Sequence, residues 1–153
     1  MLITTLIVGI SSALFVYWFR YTVILILRTQ STAEYAQKVA AANQLSFVDV
    51  RQTLHTPAQG ADLRGLWTAL QKDYHVLKYL LGHAATVQTG SYTAEQRLLM
   101  VNFRLISVWF AAVSRFGPSA AKLALLEMSS ILEYFANVMG RRFATLAVET
   151  ERN

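Results

Sequence analysis

Residues 2–19 read LITTLIVGISSALFVYWF, eighteen in succession without a charged side chain. As a helix rising about 1.5 Å per residue, this run covers most of a hydrocarbon core about 30 Å thick. The apolar run resumes after Arg20 with YTVILIL and stops at Arg28. A single transmembrane helix is therefore predicted over residues 1–28. Arg20 falls near the end of the span, where a long side chain reaches the headgroups. Tyr17, Trp18 and Tyr21 surround it, as amphipathic rings do at a membrane–water boundary. Together with Arg28 these residues form the predicted membrane interface.

The run differs from a cleaved leader. No Lys or Arg precedes it and no small-x-small site follows it, so it is expected to remain as an anchor. Charge sets the expected orientation: Arg20, Arg28, Lys38 and Arg51 all follow the span, which places the C-terminal domain on the cytoplasmic side. Thr5, Gly9 and Ala13 are four residues apart, a spacing that lets transmembrane backbones approach closely, and they are the candidate helix-packing residues.

After the anchor the periodicity is helical throughout. Ala-rich residues 29–43, with Glu34 and Lys38 four apart, are expected to continue the anchor as one helix ending near Asn43. Ser46 to Asp49 resembles a capping box opening a short helix to about His55. HTPAQG reads as a loop. A longer helix is predicted over residues 61–87, with Leu63, Leu66, Trp67, Leu70, Tyr74, Leu77 and Leu81 on one face. QTGSY breaks it. Thr93, with Gln96 at the capping-box position, opens the next helix to about Arg115, whose apolar face takes in Leu98, Leu99, Leu105, Ile106, Trp109 and Val113. Phe116-Gly117-Pro118 forms a corner before a last helix over residues 119–147, which carries Leu123, Leu126, Ile131, Phe135, Val138 and Met139, with Gly140 as a weak point or an end.

The expected fold is all-α, with the transmembrane helix continuing into a small three- or four-helix bundle. Three regions follow: an anchor over 1–28, a helical domain over 29–148 and a polar tail over 149–153. The later helices are expected to pack rather than span. Asn102 and Arg104 interrupt one, Lys122, Glu127 and Glu133 the other, and a central charge costs about 2.5–3.5 kcal/mol to insert.

Composition narrows the function. Of the 153 residues, 54% are hydrophobic and only 15% charged, below the roughly 25% of an ordinary soluble domain. The net charge of +5 comes from dispersed Lys and Arg, Arg141-Arg142 being an adjacent pair, so an anionic membrane or an acidic partner fits better than nucleic acid. The absence of cysteine removes thiolate catalysis, disulfides and Cys-ligated metals.

Histidine is the remaining place to look for a site. His75 and His83 are eight apart, about 80° from one another around a helix, without the His-Glu-x-x-His spacing of a zinc helix. They are weak candidates for a cofactor held between helices. Neither Glu95, Glu127 nor Glu133 has a His three residues on, which the di-iron carboxylate pattern needs, and no metal site is predicted. The glycines form no phosphate loop or dinucleotide fingerprint, and no serine has a nucleophile context. No cofactor and no enzymatic activity are expected.

The segment VWFAAVSRF is apolar around much of its helix, so lipid, a second copy or a larger membrane complex is expected to cover part of it. The sequence thus predicts a non-catalytic, single-pass accessory, assembly or scaffold subunit beside a larger membrane complex. A module binding a hydrophobic ligand, lined by His75, His83 and aromatic side chains, is one alternative. A homo-oligomer joined through Thr5, Gly9 and Ala13 is another.

Overall fold

The computed structural model describes residues 1–29, 34–56, 62–87 and 92–151. Among them are six helices and no strand: α1 (Leu2–Thr29), α2 (Glu34–Asn43), α3 (Phe47–His55), α4 (Leu63–Val87), α5 (Ala94–Val113) and α6 (Pro118–Glu151). The chain divides into two compact units, Met1–Ser31 and Thr32–Asn153. The predicted continuation of the anchor helix into the domain crosses residues 30–33, which lie outside the described residues. So do most of HTPAQG and QTGSY.

In the first unit, α1 is long and apolar enough to cross a membrane. Its hydroxyl side chains do not disturb it. Thr5, Ser12 and Thr22 each donate to the carbonyl four residues earlier, on Met1, Val8 and Trp18, at 3.1, 2.8 and 2.8 Å. Each O–H is thus satisfied within the helix, as an apolar surrounding requires.

The second unit is organised around α6, against which α2, α3, α4 and α5 all pack. Between residues 131 and 140 every side chain of α6 except Glu133 is buried, as expected of a helix apolar on all sides. Leu125, Met128, Ile131, Leu132 and Phe135 of α6 are fully or almost fully buried, as are Leu70, Leu77 and Leu81 of α4 and Leu99 and Phe103 of α5. The backbones of α4 and α5 stand apart, with no Cα of one within 8 Å of the other. Stacked rings fill the gap: Trp67 on Phe110, with centroids 5.7 Å apart, and Tyr74 on Phe103, at 4.2 Å. The Trp67 indole N–H and the Gln71 amide both donate to the Ser107 hydroxyl beside them.

Helix ends follow the sequence in some places and depart from it in others. The Thr93–Gln96 capping box forms in full. Asn43 closes α2, with Gln44 in the left-handed region (φ 52°) and the Leu45 N–H returning to the Ala40 carbonyl at 2.9 Å. Pro118 is the first residue of α6, after a turn in which the N–H groups of Phe116 and Gly117 share the Val113 carbonyl.

Ser46, by contrast, makes no side-chain cap. The acceptor at the start of α3 is Asp73 of α4, whose carboxylate takes the Ser46 N–H at 2.7 Å and also bonds the Phe47 N–H. The first turn of α2 is treated likewise: the Ala36 N–H donates to Oδ1 of the buried Asn137 of α6, at 2.8 Å. Neither long-range cap follows any local sequence rule.

Nor does Gly140 end its helix, for α6 runs through it to Glu151 and takes in the first three residues of the expected tail. A Cβ built at Gly140 would stand 2.5 Å from Cβ of Tyr35, so the glycine is what lets α2 reach α6. Alanine is favoured over glycine by about 1 kcal/mol inside a helix. Gly140→Ala should nonetheless destabilise the detergent-solubilised protein, by about 1–3 kcal/mol in chemical denaturation, because of overpacking.

Asp73 generates a second prediction. Burial raises its carboxyl above the ordinary 3.8, against the pull of the Ser46 and Phe47 N–H groups and Lys72. The folded chain therefore holds this proton more tightly than the unfolded chain does. The linked stability is fully present below the ordinary value and is lost as pH rises through the folded one. Asp73→Ala, which leaves N–H groups without an acceptor, should cost about 1–3 kcal/mol. Asp73→Asn keeps an acceptor and should cost less. Its deficit against the native chain should shrink between pH 4 and pH 7, as read from denaturation midpoints.

Candidate interaction surfaces

Tyr17, Trp18 and Tyr21 come together on α1. Trp18 meets Tyr17 and Tyr21 edge-on, with centroids 6.5 and 6.1 Å apart, while Tyr17 and Tyr21 stack at 6.5 Å. All three rings are exposed, as are Arg20 and Arg28. From Leu2 to Trp18 the helix rises about 24 Å, close to the thickness of a hydrocarbon core. The ring cluster thus lies about 24 Å along the helix from Leu2, with the last turns of α1 beyond it. Thr5, Gly9 and Ala13 lie along the exposed part of α1, and the Cβ position of Gly9 has open space around it.

His75 and His83 both sit on the outer side of α4, exposed, and not between helices. They line one shallow open cleft of about 430 Å³ with Lys78, Tyr79, Gly82 and Tyr92. His75 Nδ1 bonds the Gln71 carbonyl at 2.7 Å, and the His83 ring stacks on Tyr79 with centroids 5.9 Å apart. Among the described residues no group of three His, Asp or Glu side chains is placed to hold a metal ion.

The acidic side chains near the core all have structural partners. Glu133 pairs with Arg51, and Glu127 accepts from the Asn102 amide at 3.0 Å. Glu95 accepts from the Tyr134 hydroxyl at 3.0 Å, and burial together with that carboxylate pushes Tyr134 up to about 12. Burial also raises the Tyr74 hydroxyl, an effect the nearby Arg104 opposes.

The surface the sequence misread is α5. Its buried residues are Gln96, Leu99, Asn102, Phe103, Ile106 and Phe110. Leu105 and Trp109, expected inward, are 55% and 59% exposed, and Leu98 and Val113 are half-buried. With Val101 and Val108 (51% and 72% exposed) they form a second apolar face pointing away from the core. The helix has two apolar faces, and periodicity does not say which one meets α6. On α6 itself Leu123 points outward and Leu125 and Met128 take the core. No protein-family model matches the chain, and no curated protein or solved structure matches it either.

Gly82 shapes the cleft. The Tyr92 hydroxyl donates to the Lys78 carbonyl at 3.3 Å, and a Cβ on Gly82 would stand 2.8 Å from that hydroxyl. Gly82→Ala should therefore be less favourable in the native chain than in a protein already carrying Tyr92→Phe. A double-mutant cycle of unfolding free energies measures this coupling, expected at about 0.5–3 kcal/mol.

Proposed function

We propose that this chain is a non-catalytic, single-pass membrane protein, a helical bundle on a membrane stalk that serves as an accessory, assembly or scaffold subunit beside a larger membrane complex. The observation that carries the proposal is the use made of the acidic and amide groups around the core. Asp73 and Asn137 cap neighbouring helices, and Glu95, Glu127 and Glu133 join α5 and α3 to α6. A carboxylate tied to a structural partner is poorly placed to act as a general acid, base or metal ligand. The polar interior thus favours a domain built to hold a shape.

The other half of the proposal comes from α1. Residues 2–18 are all exposed, so they present a continuous apolar surface. Arg20, Arg28, Lys38 and Arg51 all follow this run, which favours the C-terminal domain on the cytoplasmic side. Docking to a neighbouring transmembrane helix is assigned to Thr5, Gly9 and Ala13, because the open space at Gly9 admits a backbone. The same stripe would serve a second copy of the chain, which makes a homo-oligomeric scaffold the alternative.

Gentle affinity purification of the full chain from its native membrane tests the proposal. Other membrane subunits should be recovered with it, and Gly9→Leu should reduce that recovery or the size of the assembly. A chain that runs as an isolated monomer in mild detergent, with nothing co-purifying, would reject the proposal.

A further inference from the structure

The outward face of α5 carries more than exposed apolar side chains. Counted around the helix at 100° per residue, Val101, Leu105, Val108 and Trp109 fall in one band, Arg97 and Arg104 lie along one edge of it, and Arg115 follows in the turn just past the end of the helix. All three arginines are exposed, and neither Arg97 nor Arg115 has an ion-pair partner among the described residues. Residues 96–126 contain no Asp or Glu at all, while Arg97, Arg104, Arg115 and Lys122 fall within them. The band is thus apolar at its centre, cationic along its edge and free of anions.

We infer that this face of α5 rests on an anionic bilayer surface, as a second membrane contact beside α1. An apolar stripe with basic side chains next to it and a tryptophan within it is the pattern of a helix lying in the headgroup region. Arg97 and Arg115 meet lipid phosphates while Val101, Leu105, Val108 and Trp109 enter the acyl boundary. Charge complementarity selects this occupant. The basic edge needs an extended anionic surface, and the proposed reading of α1 as an anchor, on which this inference rests, supplies one to the domain. Spanning is a different matter, because the opposite side of α5 buries Gln96 and Asn102 against the domain. The contact is superficial, and it goes beyond the proposed subunit role because it requires lipid alone.

The chain has no cysteine, so one introduced at Val108 is the sole thiol for an environment-sensitive fluorophore. The labelled full chain would be reconstituted in phosphatidylcholine vesicles, with and without phosphatidylglycerol, beside a control labelled at the exposed Gln52 of α3. Flotation with the vesicles reports on α1 separately. The Val108 label should shift to the blue and gain intensity in the phosphatidylglycerol vesicles, and spin-labelled lipid should quench it. The Gln52 label should do neither. Arg97→Glu with Arg115→Glu should remove most of the Val108 response while flotation and helical content stay unchanged. A Val108 label as wet as the Gln52 label in anionic vesicles would overturn the inference. So would a label shielded to the same degree in detergent by a second copy of the chain, or one shielded only when another protein is added.

Discussion

Two short helices, α2 and α3, begin against the body of the domain, and their first N–H groups need acceptors that water does not supply there. A helix leaves four N–H groups unpaired at its start, and burying them unsatisfied is costly. Asn137 of α6 meets this need for α2 and Asp73 of α4 meets it for α3. Each bond joins residues far apart in sequence, so a cap that usually stabilises one helix here also fixes the position of one helix on another. At ten and nine residues, α2 and α3 are too short to persist alone in water. Their helicity and their docking are one event.

The close approach that makes the Asn137 bond possible depends on Gly140, one turn further along α6, where Tyr35 of α2 lies over the glycine. Asn137 and Gly140 are three residues apart and so lie on one face of α6. The intrinsic cost of glycine inside a helix is offset by this approach. At the opposite side of the domain the solution is reversed. The backbones of α4 and α5 stay apart, and Trp67, Tyr74, Phe103 and Phe110 fill the space as stacked pairs. One seam is made by removing a side chain, the other by using large ones.

What the sequence reveals follows from how local each determinant is. The length and polarity of α1, the Thr93–Gln96 box, the Phe116-Gly117-Pro118 corner and the end of α2 at Asn43 depend on neighbours within a few residues, and all are legible. The role of Gly140 is not, because it depends on Tyr35, more than a hundred residues earlier. Ser46 has the residue type of a cap but is replaced by Asp73, which no spacing rule could have found. The pairing of Glu133 with Arg51 and of Glu127 with Asn102 is hidden for the same reason. His75 and His83 were legible as a loosely shared face, and they do meet at one cleft, but only the fold shows that the cleft opens outward.

The two apolar faces of α5 expose the limit most clearly, and they also bear on what the domain does. Fully burying a Val or Leu side chain is worth about 1.5–3 kcal/mol. An outward band of Val101, Leu105, Val108 and Trp109 therefore leaves several kcal/mol available, to order of magnitude, to whatever covers it. For a freely diffusing domain, much of that would be offset by the loss of translational and rotational freedom on binding. Under the proposed reading of α1 as an anchor, the domain would already have lost most of that freedom and would meet a nearby surface at high effective concentration. On that proposal, a band worth several kcal/mol would contribute more to holding an anchored domain against a surface than to capturing a partner from solution.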